Sequence, residues 1–181
     1  MLAFELSEDM YIEVLRLARL YQREATRCQE SKAYLAGCVM IGAAFEASLL
    51  AFANCYSEEA LGSTAAPRRK MEVKPLVDWS LAELLAVAKE RNWLPSALSL
   101  HDEWDEAKAK IGDYGEVIRE IRNLVHPARY ALDWQSKRIT KKYLEGVFEI
   151  LEVANEHFLS KINSSLWEAI EEEEKKTPKD T

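Results

Sequence analysis

Turn-forming residues are scarce in this chain, with 6 glycines and 5 prolines among 181 residues. A many-stranded β fold needs such residues at every reversal, so the scarcity disfavours one. Cysteine is rarer still: Cys28, Cys38 and Cys55 are odd in number and form no CxxC pair. Neither a disulfide framework nor a zinc knuckle is expected, and a reducing cytoplasm is. Cys38 and Cys55 lie in apolar sequence, where a thiol behaves as a small hydrophobe. No glycine-rich phosphate loop and no Gly-x-Ser-x-Gly elbow is present, and no cofactor is expected. Residues 1–9 lack a basic region ahead of an apolar run, which argues against a signal peptide. Positive charge is short as well: 24 Lys and Arg against 31 Asp and Glu leave a net −7. The end of the chain, four glutamates at 171–174 and Asp180 against Lys175, Lys176 and Lys179, contributes 3 − 5 = −2, so the body carries −7 + 2 = −5. A field of that sign repels phosphate, so any role with nucleic acid requires a local basic patch.

What is abundant is Ala, Leu, Glu and Lys, the residues that lose least on entering a helix. A hydrophobic share of 48% over this length is enough for one self-sufficient core. The expectation is an all-α fold: residues 1–165 form one helical bundle, and residues 166–181 a helical extension with a disordered charged tail. Ser7 caps a first helix with Glu8 and Asp9 in its opening turn, and Met10, Val14, Leu17, Ala18, Tyr21 and Ala25 mark its apolar face. A bend is expected near residues 29–32. Tyr34–Cys55 follows as nearly continuous apolar sequence whose only charge is Glu46. Its length would permit a membrane span, since roughly 20 apolar residues cross a bilayer. Its many Ala and Gly residues and its central Glu instead favour the core helix of a bundle.

Residues 57–78 lose periodicity and read as a long surface connection carrying the basic run Arg68-Arg69-Lys70. Ser80-Leu-Ala-Glu83 is a capping box opening a helix with Leu81, Leu84, Leu85 and Ala88 on one face, which closes before Asn92. A polar segment through Ala109, an apolar-periodic helix over 114–126, a helix over 140–162 and a last stretch over 165–174 complete the chain. The five tryptophans, scattered singly, read as core or loop anchors, and His157 as a surface or half-buried histidine. His101-Asp-Glu-Trp-Asp105 reads as a solvated helix start, because its candidate metal ligands are adjacent and not one turn apart.

The helix over 114–126 holds the one constellation suited to chemistry. At about 100° per residue Arg119 nearly eclipses His126, and Arg122 lies about 40° away. With Asn123 they share a polar stripe, while Val117, Ile118, Ile121 and Val125 form the opposite, apolar one. Arginine offers forked donors to phosphate oxygens, and histidine moves protons near neutral pH. No carboxylate interrupts the stripe, so a two-metal site is not indicated and no metal is expected. The same residues also read as a structural helix stop before Pro127, with His126 favoured by the helix dipole. Glu46, a lone carboxylate on an apolar helix, needs a partner there, and Arg119 or Arg122 is the expected one.

Ile118-Arg-Glu-Ile-Arg-Asn-Leu-Val-His-Pro127, together with the apolar helix Gly37-Cys-Val-Met-Ile-Gly-Ala-Ala-Phe-Glu-Ala-Ser-Leu-Leu50, resembles the signature of HEPN domains. The resemblance implies an antiparallel bundle of four to five main helices plus short ones, a homodimer, and a place in bacterial toxin–antitoxin, defence or stress systems. Active HEPN proteins carry an arginine followed by a polar residue, then four to six residues and a histidine, and cleave RNA without a metal. In this chain the two halves of that pattern are divided: Arg122 is followed by Asn123 but only three residues separate it from His126, whereas six residues separate Arg119 from His126 but Arg119 is followed by Glu120. Carried over, His126 is the general base and acid, Arg122 or Arg119 the phosphate clamp and Asn123 the orienting group. RNA, a second copy and an antitoxin or other protein are the implied partners. A non-catalytic module that binds a protein or a nucleotide is the alternative on the same scaffold.

Overall fold

A computed structural model describes residues 4–94 and 139–176, with side chains through Glu168. The chain begins with α1, Glu8–Glu30, capped by Ser7, whose side chain accepts the Met10 N–H. Helix α1 ends in a tight reversal. The Ala33 N–H reaches the Cys28 carbonyl at 2.8 Å and the Lys32 N–H reaches that of Gln29 at 3.0 Å, while Lys32 takes a left-handed φ of 60°. These are the two hydrogen bonds of a Schellman stop. Only three residues therefore separate α1 from α2, Tyr34–Cys55, and the two form an antiparallel hairpin. The bend expected at residues 29–32 sits there.

Helix α2 is the centre of the bundle. Gly37, Ile41, Phe45, Leu49, Phe52 and Ala53 are all buried, and they point in several directions around the helix because α1, α4 and α5 each pack on it. By length and composition α2 would suffice to cross a membrane, with a mean hydropathy of 1.9 in its most apolar stretch, but half of that stretch is buried within the protein.

Residues 57–78 are more ordered than their composition suggests. They comprise α3 (Ser57–Leu61), a two-residue hairpin pairing β1 (Arg68–Arg69) with β2 (Glu72–Val73), and a 3-10 turn at Leu76–Asp78. The expected long surface connection is thus replaced by a folded segment. Its inward residues, Ala60, Ser63, Ala66 and Leu76, are buried, too few and too unevenly spaced to show as a period. Helix α4, Leu81–Glu90, starts at the capping box, with both reciprocal bonds between Ser80 and Glu83 present. Leu81, Leu84, Leu85 and Ala88 are all buried. It closes in a second Schellman stop, with Asn92 at φ 51° and the Trp93 N–H on the Ala88 carbonyl at 2.9 Å.

Glu90 ties α4 to the folded segment. Its carboxylate accepts the Thr64 N–H at 2.9 Å, the Thr64 hydroxyl at 2.8 Å and the Ala65 N–H at 2.8 Å. These donors, the Thr64 amide foremost, hold its carboxyl down at about 2 from an ordinary 4.5. A depressed carboxyl stabilises the fold above the unfolded value and loses that effect as pH falls through the folded one. Acid should therefore erase the Glu90 contribution between about pH 4.5 and about 2. The Tm difference between wild type and Glu90→Gln is expected to shrink over that window, and a difference unchanged by acid would refute the assignment. The group is exposed, so solvent screening keeps the effect small.

Helix α5, Lys141–Lys176, begins at Thr140, whose hydroxyl accepts the Tyr143 N–H. It runs alongside α2 in the same direction: Leu144 lies against Gly37, Phe158 stacks on Phe52 at 4.5 Å, and Ser165 meets the Tyr56 hydroxyl at 2.9 Å. The two stretches expected over 140–162 and 165–174 are one helix. No breaker lies between them, and the Ser164 hydroxyl bonds back to the Ser160 carbonyl at 3.0 Å, an arrangement compatible with helical geometry. Every residue from Asn163 to Glu168 is exposed, so the helix leaves the bundle there. Four longer helices and one short one thus make an all-α bundle among the described residues.

Candidate functional site

Arg119, Arg122, Asn123 and His126 lie outside the described residues, as do His101 and the polar segment before them. Glu46 is described. It is half-buried and shares a stripe of α2 with Val39, Ala43 and Leu50, which are also half-buried. Its expected partners, Arg119 and Arg122, lie outside the described residues. Cys55 is exposed, not packed as a hydrophobe. It sits at the end of α2, where its sulfur meets the Tyr11 hydroxyl at 3.2 Å. That contact, with some burial, pushes Tyr11 up to about 12. Cys38 is buried as expected, and desolvation pushes its thiol up to about 12, which keeps it neutral. His157 is half-buried, and desolvation followed by the nearby Lys161 charge lowers its pKa. Trp79 and Trp93 are core anchors, whereas Trp167 is exposed.

Two surface features take shape only in the fold, although the basic run of the second is plain in the sequence. The first is an apolar groove of about 270 Å³ between α1 and α5, with α2 as its floor. Ala44, Ser48 and Ala51 form that floor, at a spacing that places small side chains one turn apart. Leu15 and Arg19 of α1 make one wall, and Leu151, Phe158 and Leu159 of α5 the other. The abundance of Ala in α2 was visible in the sequence, but which side of α2 would stay open depends on where α5 docks.

The second is the tip of the hairpin. Its turn residues, Lys70 and Met71, both have positive φ, 52° and 71°. This is the geometry a two-residue hairpin requires and that Asn-Gly would adopt more easily. The strain of a non-glycine pair there is of order 1–2 kcal/mol per residue. Arg68, Arg69 and Lys70 are all exposed, and Met71 is 90% exposed at the apex. Lys74 is engaged by Glu83 at 2.6 Å, whereas Arg68, Arg69 and Lys70 make no ion pair among the described residues. The tip is thus a compact cationic projection on an acidic chain.

No group of three or more metal-binding side chains occurs among the described residues. No family model matches the chain, and neither a curated protein nor a solved structure matches it.

Proposed function

We propose that this is a HEPN-like RNA-acting protein of bacterial defence or stress, working in the cytoplasm as a homodimer and cleaving RNA without a metal. What supports the proposal is the α-helical bundle, with its apolar α2 at the centre and the Arg119–His126 stripe carried on the chain between α4 and α5. The cationic hairpin adds the local patch that a chain of net −7 needs in order to meet a phosphate backbone. In the proposed reaction His126 removes the proton of a ribose 2′-hydroxyl, whose oxygen then attacks the adjacent phosphorus. Arg122 or Arg119 neutralises the added charge on the phosphoryl oxygens, and Asn123 orients one of these groups. The imidazolium returns its proton to the departing 5′-oxygen, leaving a 2′,3′-cyclic phosphate and a 5′-hydroxyl. Glu46 fits a supporting role, holding an arginine in place.

The experiment is RNA cleavage by the purified chain in excess chelator. Wild type is expected to cut, leaving cyclic phosphate ends, and His126→Ala to lose roughly 100-fold or more in rate without a change in Tm. An uncut substrate, together with a lowered Tm for His126→Ala, would mean that the histidine is a structural helix stop. The open apolar groove favours a second reading, a non-catalytic module that binds a protein, an antitoxin among them, or a nucleotide. Nothing in either reading requires a membrane.

A further inference from the structure

We infer that the groove between α1 and α5 receives the protruding end of α5 from a second copy of this chain, so that two copies pair reciprocally through antiparallel α5 helices. The inference deepens the homodimer of the proposed function by locating its interface, yet it rests on described residues and stands whether or not RNA is cut. Three observations converge on it.

Helix α5 is longer than the bundle can cover. Beyond Ile162 its next six residues are all exposed, and the helix continues to Lys176. At about 1.5 Å per residue the 14 residues from 163 to 176 make roughly 20 Å of helix, of which 163–168 are exposed. This stretch is not uniformly polar. Leu159, Leu166 and Trp167 are 61%, 59% and 66% exposed, and Leu159, Ile162 and Leu166 recur at the three- and four-residue spacing of a helix–helix seam.

The groove matches this stretch in length and shape. It runs beside α5 from Ile162 to Leu151, about 16 Å along the helix. Its floor of Ala44, Ser48 and Ala51 lets another helix approach closely. A two-fold axis passing between Ile162 and Asn163 sets Leu159 against Leu166 of the partner subunit and, reciprocally, Leu166 against the partner's Leu159. The partner's residues 163–174 then lie along the whole groove. Such a contact is isologous, which a closed dimer requires.

Charge agrees with the same register. Four consecutive glutamates occupy positions 171–174 near the end of α5. In the antiparallel pair they fall level with residues 151–154, where the α1 rim of the groove carries Arg19. Among the described residues Arg19 makes no ion pair, unlike Arg16 and Arg27, which are paired with Glu13 and Glu24. An acidic helix end laid against an unneutralised basic rim favours this orientation over one that sets α5 on α5 in parallel, where the glutamates would face each other.

The test is the mass of the full chain in solution. Wild type should behave as a dimer, twice 20.7 kDa. Leu166→Glu with Trp167→Glu should shift dissociation by at least 100-fold toward monomer, with an unchanged helical signal because both side chains are exposed. In a background with Cys28 and Cys55 replaced by Ser, Asn163→Cys should form a disulfide-linked dimer on mild oxidation, and Lys141→Cys at the other end of α5 should not. A monomeric wild type, or a dimer that survives the double glutamate substitution, overturns the inference. So does a dimer that cross-links through position 141 but not 163. RNA cleavage is read separately, so loss of cleavage with an intact dimer leaves this interface standing.

Discussion

Trp93→Ala is expected to cost about 3–5 kcal/mol of folding stability, the range for removing a large aromatic side chain from a core. Trp93 is fully buried although it lies just past the end of α4. Its ring meets Phe52 edge-on at 5.4 Å, and Phe52 in turn stacks on Phe158, so one indole joins α4, α2 and α5. Its N–H donates to Glu59 at 2.8 Å, which brings α3 into the same junction. Truncation would open a cavity at the meeting point of four helices and remove the indole donor from Glu59, which keeps Lys161 at 3.5 Å. Trp93→Phe keeps most of the ring and loses the donor, so a loss of about 1–2 kcal/mol is expected. Urea denaturation of both variants measures this. A loss below about 1 kcal/mol for the alanine variant would show that the end of α4 is not part of the cooperative core.

Gly37→Val should destabilise by about 2–3 kcal/mol, near the upper end for overpacking a well-filled interior. A Cβ at this position would stand 2.7 Å from Leu144 Cδ2, 3.1 Å from its Cδ1 and 3.4 Å from Cys28 Cβ. Three helices therefore converge on the absence of a side chain. Gly37→Ala is a milder case: the Leu144 methyls can shift, and about 1 kcal/mol of helix propensity is gained, so the two effects largely cancel. Valine adds branches that cannot be accommodated, since Leu144 is itself fully buried. The origin of the loss is checked by relief. Combining Gly37→Val with Leu144→Ala should cost clearly less than the sum of the two changes, and strict additivity would be incompatible with a clash between them.

Elements governed by nearest neighbours were legible in the sequence. The Ser80–Glu83 box, the Ser7 cap and the limits of α2 each depend on a few adjacent residues, and each lies where it was expected. The burial of Leu81, Leu84, Leu85 and Ala88 followed from spacing alone. Where a residue's surroundings come from far along the chain, the reading was weaker. Glu46 stands among apolar neighbours in sequence, yet the side of α2 it occupies is only half covered. The order of residues 57–78 comes from Glu90, 25 and 26 residues away, clasping Ala65 and Thr64, which no periodicity reveals. The groove is a product of docking, written in no single segment. The Arg119–His126 stripe, read from helical geometry and family resemblance, lies outside the described residues.

The parallel alignment of α2 with α5 bears on how the chain assembles. Helices α1 and α2 meet across three residues, whereas Tyr56 and Ser165 touch across 109. Closing the short connection sacrifices little chain freedom and closing the long one much more, so the amino-terminal hairpin is the natural nucleus and α5 the latecomer. Until it arrives, the Phe52 face lacks its Phe158 cover. A nascent chain still missing its last forty residues would present that greasy strip to chaperones and proteases alike.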